Sequence, residues 1–231
     1  WPAKKQKEIA HRYMLGLYKI LENITTNFPN ILFESCSGGG GRFDGGMLYY
    51  MPQTWTSDDT DAIERLKIQE GTSLVYPTSS MGSHVSAVPN HQVHRITPLH
   101  TRGVVAMAGS FGYELDINKM LDEEKKEVKS QVEFYKKIRH TVQFGDLYRL
   151  ISVFDSNESA WMNLDKDGMS AVVSYVKKYC EPNVLPKRLK IKALDKEALY
   201  EVVETGEVFG GDELMYIGLE IGELIGDYQA K

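Results

Sequence analysis

Residues 31–44 read Ile31-Leu32-Phe33-Glu34-Ser35-Cys36-Ser37-Gly38-Gly39-Gly40-Gly41-Arg42-Phe43-Asp44. The apolar triplet fits a short buried strand, and polar residues and a glycine run follow it at once. Upstream, Ile9, Tyr13, Leu17, Ile20, Leu21 and Ile24 recur every three or four positions. That spacing predicts an amphipathic helix over about Glu8 to Asn23, broken by Asn27-Phe28-Pro29-Asn30. Downstream the pattern returns. Thr54-Trp55-Thr56 reads as a strand ending at Ser57-Asp58-Asp59-Thr60-Asp61, before a helix carrying Ile63, Leu66 and Ile68. Thr60 or Asp61 suits its N-cap, with Glu64 at the capping-box position relative to Asp61. Ser73-Leu74-Val75-Tyr76-Pro77 reads as a helix end or a strand. Val104–Met107 is a further candidate segment, and Phe111–Leu115 a short buried strand. Asp122 to His140 reads as a helix with Val128, Val132, Tyr135 and Ile138 on one face. Short buried strands alternating with helices mean βα units and a parallel sheet, whose carboxyl edge binds ligands.

From Tyr148 the texture changes to short, partly alternating segments: Tyr148–Phe154, Ala160–Asn163, Ser170–Tyr179, Arg188–Leu194, Ala198–Val203 and Met215–Leu219. Asp165-Lys166-Asp167-Gly168, Glu204-Thr205-Gly206 and Gly210-Gly211-Asp212-Glu213 punctuate them as hairpin turns. The expected division is therefore an α/β part over residues 1–146 and an antiparallel β domain, a sandwich rather than a barrel, over 147–231. An eight-fold βα barrel takes about 250 residues. The first part is thus a small open sheet or the back half of a barrel. The chain opens inside a helix and stops at Asp227–Lys231 without an evident terminus, so both ends are expected to be cut.

Composition narrows the class. The chain has 231 residues, 42% hydrophobic and 26% charged, which excludes intrinsic disorder. No apolar run approaches the roughly 18–20 residues of a membrane span, and no secretory core follows the N-terminal Trp-Pro-Ala-Lys-Lys-Gln-Lys. A net charge of -5 argues against a nucleic-acid partner. Cys36 and Cys180 cannot make a disulfide framework and read as free thiols of a reducing compartment.

Three stretches could carry chemistry. The Gly38–Gly41 run lacks the Gly-Lys-Ser/Thr ending of a phosphate loop. It is a flexible turn or a place where backbone meets ligand closely. Cys36 before it is a nucleophile, if a base lies near, or a small packing thiol. Asp58, Asp59 and Asp61 crowd a strand-to-helix edge beside Trp55. Mutual repulsion and partial burial would favour a protonated carboxyl there, as a general acid requires, and Trp55 could stack on a sugar face. Helix capping is the competing role. His84, His91, His94 and His100 lie in a segment that also holds Pro89 and Pro98. His91 and His94 are spaced for zinc but lack a His-Glu-x-x-His pattern, and ordinary loop hydrogen bonding fits them better. Asp165–Gly168 lacks the closing glutamate of a calcium loop and reads as a turn.

Phe33-Glu34-Ser35-Cys36-Ser37-Gly38-Gly39-Gly40-Gly41-Arg42-Phe43-Asp44, followed by Met47–Arg65 with its Trp55-Thr56-Ser57-Asp58-Asp59, resembles the microbial α-galactosidases of glycoside hydrolase family 36. Met81–Ser86, Pro89–Gln92, Thr101–Gly103, Phe111–Leu115 and Leu194–Tyr200 extend the likeness over essentially the whole chain. Gly45 stands where many relatives have proline.

The resemblance implies the carboxyl-terminal half of a (β/α)8 TIM barrel followed by most of an antiparallel β-sandwich. It implies a retaining hydrolase of terminal α-D-galactosyl residues in oligosaccharides of the melibiose and raffinose type. Asp58 would be the acid/base, and Cys36 and Gly39 would line the galactose subsite near the 2-hydroxyl. Trp55 as a subsite wall follows from its chemistry and position. The family's nucleophile lies in a Lys-Trp-Asp motif, which does not occur in these 231 residues. The chain alone is thus expected to be inactive, and its opened barrel is expected to resist folding alone. No cofactor and no metal are implied. A cytoplasmic homo-oligomer, with neither nucleic acid nor membrane as partner, is. The alternatives are an α-N-acetylgalactosaminidase, a galactosyl transferase of related fold, or a non-catalytic carbohydrate-binding fragment. Cys36 leaves little room for an acetamido group and favours galactose.

Overall fold

The computed structural model describes residues 2–183 and 185–231. They form two compact units, Trp1–Asp58 and Asp59–Lys231.

In the first unit a 3-10 turn, Ala3–Glu8, runs into helix α1 (Ile9–Asn27). The predicted helix is present and one turn longer, because Thr25 and Asn27 bond back to the carbonyls of Leu21 and Asn23 at 2.9 and 2.7 Å. Its apolar stripe is only partly covered: Leu21 is buried, while Ile9, Tyr13 and Ile20 are exposed. The strand predicted at Ile31–Phe33 is displaced. Ile31 turns back onto the Phe28 carbonyl, Ile31 and Leu32 are exposed, and the ladder begins only at β1 (Glu34–Ser35). The reason is its partner's length, since only Gln53 and Thr54 of β2 (Gln53–Trp55) lie opposite, in parallel register. Between them come a helical turn, α2 (Ser37–Gly40), and helix α3 (Gly45–Tyr50). Asp44 caps α3 by accepting from the Met47 amide at 2.8 Å, and Tyr18 donates to the same carboxylate at 3.3 Å.

The second unit starts with α4 (Ala62–Ser73), β3 (Met81–Ser86), α5 (Leu99–Ala106), β4 (Ser110–Glu114) and α6 (Asp122–Phe144). β3 and β4 are parallel, Gly82 opposite Ser110 through Ser86 opposite Glu114. Ser73 ends a helix; Leu74 and Val75 after it are exposed turn residues, which settles that alternative. Val104–Ala106 closes α5. Strand β3 carries no apolar run, so periodicity does not find it. Its small polar residues are buried because neighbours satisfy them: Ser83 donates to Gln69 at 2.6 Å, and the Gly82 carbonyl accepts from Arg65 at 2.8 Å. Val85, Leu99 and Ala106 form the local core, with Phe111 and Tyr113 packed against them.

Beyond α6 the chain is antiparallel. Strands β5 (Asp146–Ile151), β6 (Glu158–Leu164), β7 (Ala171–Lys177) and, after a long excursion, β12 (Gln229–Ala230) form one sheet in the order β12-β7-β6-β5. The excursion holds β8 (Arg188–Leu189), β9 (Leu199–Val202), β10 (Glu207–Gly210), helix α7 (Gly211–Tyr216) and β11 (Leu219–Glu220). β9 pairs with β10, and β8 with β11. Asp165–Gly168 and Glu204–Gly206 are turns as expected, with Gly168 and Gly206 both at φ +72°. Two expectations fail here. Gly210–Glu213 is not a hairpin turn but the start of α7, and Met215–Leu219 is helix end and loop before β11. The Gly211 amide bonds the Ala198 carbonyl, and Asp212 and Glu213 suit a first helical turn, which turn chemistry alone does not reveal.

Ala62, Ile63, Leu66 and Val105 pack against Val153, Val176 and Ala230, so the helices share a core with the β domain. Glu70 adds a polar tie, accepting from Ser152 Oγ at 2.6 Å and the Val153 amide at 2.9 Å. Glu70→Ala leaves both donors orphaned and is expected to lower unfolding free energy by about 1–3 kcal/mol, with a smaller loss for Glu70→Gln, which keeps an acceptor. Urea unfolding of the two variants checks this. Among the described residues no helix is long and apolar enough to cross a membrane.

Candidate active site

β1 and β2 run parallel with Ser35 opposite Thr54, so Cys36 and Trp55 leave the pair at the same edge. Thr54 is fully buried and donates to the Ser35 carbonyl at 3.0 Å, which locks the two strand ends together.

After Cys36 the backbone does something that only glycine does cheaply. Ser37, Gly38, Gly39 and Gly40 all have positive φ, at 64°, 65°, 74° and 89°. The amides of Gly40 and Gly41 bond the carbonyls of Cys36 and Ser37 at 2.9 and 3.1 Å. The turn is left-handed, a conformation that costs an L-residue roughly 1–2 kcal/mol per position. Its handedness lays backbone directly on the segment after β2. A Cβ on Gly39 would lie 2.8 Å from the Asp58 amide nitrogen and 2.9 Å from Ser57 Cα, and one on Gly40 3.2 Å from the Trp55 carbonyl oxygen. The glycine run is therefore a fitted support for Trp55–Asp58.

Cys36, Gly39, Trp55 and Asp58 thus gather at one edge of this unit, with Cys36 and Asp58 exposed and Gly39 and Trp55 half-buried. Exposed polar side chains on a close-packed glycine platform can receive a polar ligand without moving the backbone.

In the second unit the remaining aspartates take structural positions. Asp59 accepts from the Asp61 amide at 3.1 Å. Asp61, 3% exposed, accepts from the amides of Ile63 and Glu64, each at 3.0 Å. Asp61 rather than Thr60 is the N-cap. The reciprocal half of the capping box is not made by Glu64, because Asp59 takes the Asp61 amide and Glu64 turns to Lys67 and Arg95. Arg65 is buried in α4; burial lowers its pKa to about 10, against the opposing pull of Asp59 and Glu114. Burial raises the Tyr113 phenol to about 12, with Glu127 adding to it and Arg102 opposing.

The histidines do not converge. His84 lies on β3 with Nδ1 3.9 Å from Glu114 Oε2, His91 and His94 are exposed in a turn, and His100 is exposed on α5. Among the described residues no three His, Cys, Asp or Glu side chains are placed to hold a metal ion. Sequence reasoning missed Asn90, Arg65 and Arg95, for which no periodicity or spacing gave a signal.

Comparison with known proteins gives a consistent result. The Melibiase family model matches residues 1–145, and the glycosyl hydrolase family 36 C-terminal domain model matches residues 158–231. The chain is 60% identical over 220 residues to α-galactosidase AgaA of Geobacillus stearothermophilus, covering 95% of this chain and 30% of the relative. It is 55% identical over 230 residues to α-galactosidase Mel36A of Lactobacillus acidophilus, covering 100% of this chain and 31% of that protein. The chain therefore spans under a third of the length of these curated relatives. A crystal structure of AgaA from Geobacillus stearothermophilus in complex with raffinose superimposes with a TM-score of 0.97 at 57% identity, over 100% of this chain and 32% of that one.

Proposed function

This chain belongs to glycoside hydrolase family 36, and from that premise we propose that it is the part of a retaining α-galactosidase that carries the acid/base aspartate. Residues 1–146 are then the carboxyl-terminal half of the catalytic (β/α)8 barrel, and residues 147–231 a β-sandwich domain. The parallel pairs β1/β2 and β3/β4 with their intervening helices, and the antiparallel sheets after α6, support that division.

The observation that carries the site is the contact of the Gly39 backbone with Ser57 and Asp58. It fixes the peptide of an exposed carboxyl at the edge where an α/β sheet binds its ligand. The solved relatives hold raffinose and stachyose. Oligosaccharides ending in α-D-galactose are accordingly the substrates we assign.

In the mechanism, an aspartate from outside these residues attacks C1 of the galactosyl unit. The carboxyl of Asp58 gives its proton to the glycosidic oxygen as the C1–O bond breaks. The resulting carboxylate then takes a proton from water, whose oxygen attacks C1 and frees the enzyme aspartate. Two inversions leave the anomeric configuration unchanged. Retaining chemistry places the two carboxyls about 5–5.5 Å apart. Cys36 and Gly39 line the galactose subsite, a glycine there letting the sugar approach the backbone, and Trp55 offers an aromatic wall. The free thiols of Cys36 and Cys180 suit a reducing compartment, which supports reading the protein as a cytoplasmic enzyme.

The test is proton NMR of melibiose hydrolysis by the complete gene product. The first galactose released is expected as the α-anomer, with mutarotation following. Release as the β-anomer would mean inversion, and no release at all would turn the assignment to one of the other activities.

A further inference from the structure

The residues directly after Asp58 are gripped from two sides within the second unit. Asn90, 3% exposed, donates from Nδ2 to Thr60 Oγ1 at 3.1 Å, while its Oδ1 accepts the amides of Gln92 and Val93 at 2.9 and 3.0 Å. Arg95 pairs through Nη1 with Asp61 and through Nη2 with Glu64 at 3.6 Å. The loop bearing both is closed on itself: the Asn90 amide bonds the Arg95 carbonyl and the His94 amide the Asn90 carbonyl, each at 2.9 Å. The histidine-rich stretch therefore serves its amide and guanidinium, with His91 and His94 left in solvent.

Arg95 is itself backed by the far end of the chain. Its guanidinium carbon sits 5.3 Å from the centre of the Tyr228 ring. Tyr228 is fastened beside β12: its carbonyl accepts from Thr101 Oγ1 at 2.6 Å, its amide bonds the Lys178 carbonyl at 2.9 Å, and its ring meets that of Tyr179 at 5.8 Å. A cation between a buried carboxylate and an aromatic face is held in orientation as well as in charge.

Capping α4 alone would require only Asp61. Instead Asp59, Thr60 and Asp61 are each tied, one after another, just where the chain leaves Asp58. An acid must aim at an oxygen to within a fraction of an ångström, so a rigid exit for its peptide has direct value in rate.

We propose that Arg95 is a positioning residue for Asp58, buttressed through Tyr228 by the carboxyl-terminal β domain. This rests on reading Asp58 as the acid/base. It also gives the β domain a part in catalysis beyond stability, since Tyr228, just before its last strand, sets the residue that sets the acid.

The experiment compares Arg95→Met, Arg95→Lys and Tyr228→Ala with Asp58→Asn in the complete gene product. For each, kcat and KM are measured on melibiose and on an aryl α-galactoside with a good leaving group, beside the melting temperature. Arg95→Met is expected to lower kcat on melibiose by about 10²-fold and on the aryl substrate far less, because a misaimed acid harms only the step that needs its proton. Arg95→Lys recovers part of the loss, and Tyr228→Ala shows a smaller loss with the same leaving-group bias. Equal losses on both substrates in a folded Arg95→Met, while Asp58→Asn keeps its bias, overturn the inference and leave Arg95 a stabilising ion pair. Absence of the bias in Asp58→Asn instead sinks the acid/base reading itself. Should Arg95→Met fail to fold, Tyr228→Ala, which leaves the ion pair in place, decides by the same comparison.

Discussion

Asp58→Asn is expected to cut melibiose turnover by about 10²–10⁴-fold, the range that a positioned general acid and base contributes. An aryl α-galactoside with a good leaving group loses much less in its first step, because the departing phenolate needs no proton. Its glycosyl-enzyme then accumulates, since no carboxylate remains to activate water. Azide, which needs no base, restores turnover and gives a galactosyl azide that chromatography identifies. Equal, modest losses on both substrates would instead make Asp58 a neighbour of the helix start, alongside Asp59 and Asp61.

Gly39→Ala is expected to have the second-largest effect, and it separates two ways in which a glycine matters. Gly39 sits at φ +74° and ψ 40°, and an added methyl would lie 2.8 Å from the Asp58 nitrogen. Backbone atoms at that distance cannot rotate away as a side chain would, so the Asp58 peptide must shift. A displacement approaching 1 Å costs about 10²-fold in kcat. Gly38→Ala is the control. Gly38 has φ +65°, but nothing lies within 4 Å of its added Cβ. It should lose about 1 kcal/mol of stability from left-handed strain and keep most of its activity. Equal losses of activity in the two variants would mean that the turn's flexibility, and not its contact with Asp58, is what catalysis needs.

Much of the architecture was legible in the order of residues. The strand-then-polar pattern at Thr54–Asp61 located one edge that carries the candidate site, while the pattern at Ile31–Gly41 put its strand three residues early, the ladder beginning at Glu34. Period-3.6 spacing found α1, α4 and α6, because one apolar face is what a surface helix must show. Glycine-bearing turns found the β6/β7 and β9/β10 hairpins. The misses have physical causes. β3 is buried without an apolar run, its Ser83 and Gly82 being satisfied by Gln69 and Arg65 on α4. The segment at Met215 alternates well enough for a strand, but Gly210–Glu213 begins a helix instead.

The sequence by itself pointed to the family and the βα-then-β order, and it marked Cys36, Gly39, Trp55 and Asp58 as candidates for the site. Those follow from local rules: hydrophobic period, turn chemistry and a long specific motif around Cys36–Asp61. Only the tertiary structure decided that Gly38–Gly40 winds left-handed onto Trp55–Asp58, and that Asp61 caps α4 while Asp59 supports it. It alone brought Asn90 to Thr60, Arg95 to Asp61 and Tyr228 to Arg95. Each of these is a contact between residues distant along the chain, set by backbone hand, burial and charge pairing in three dimensions, and no periodicity encodes which partner a buried carboxylate will find.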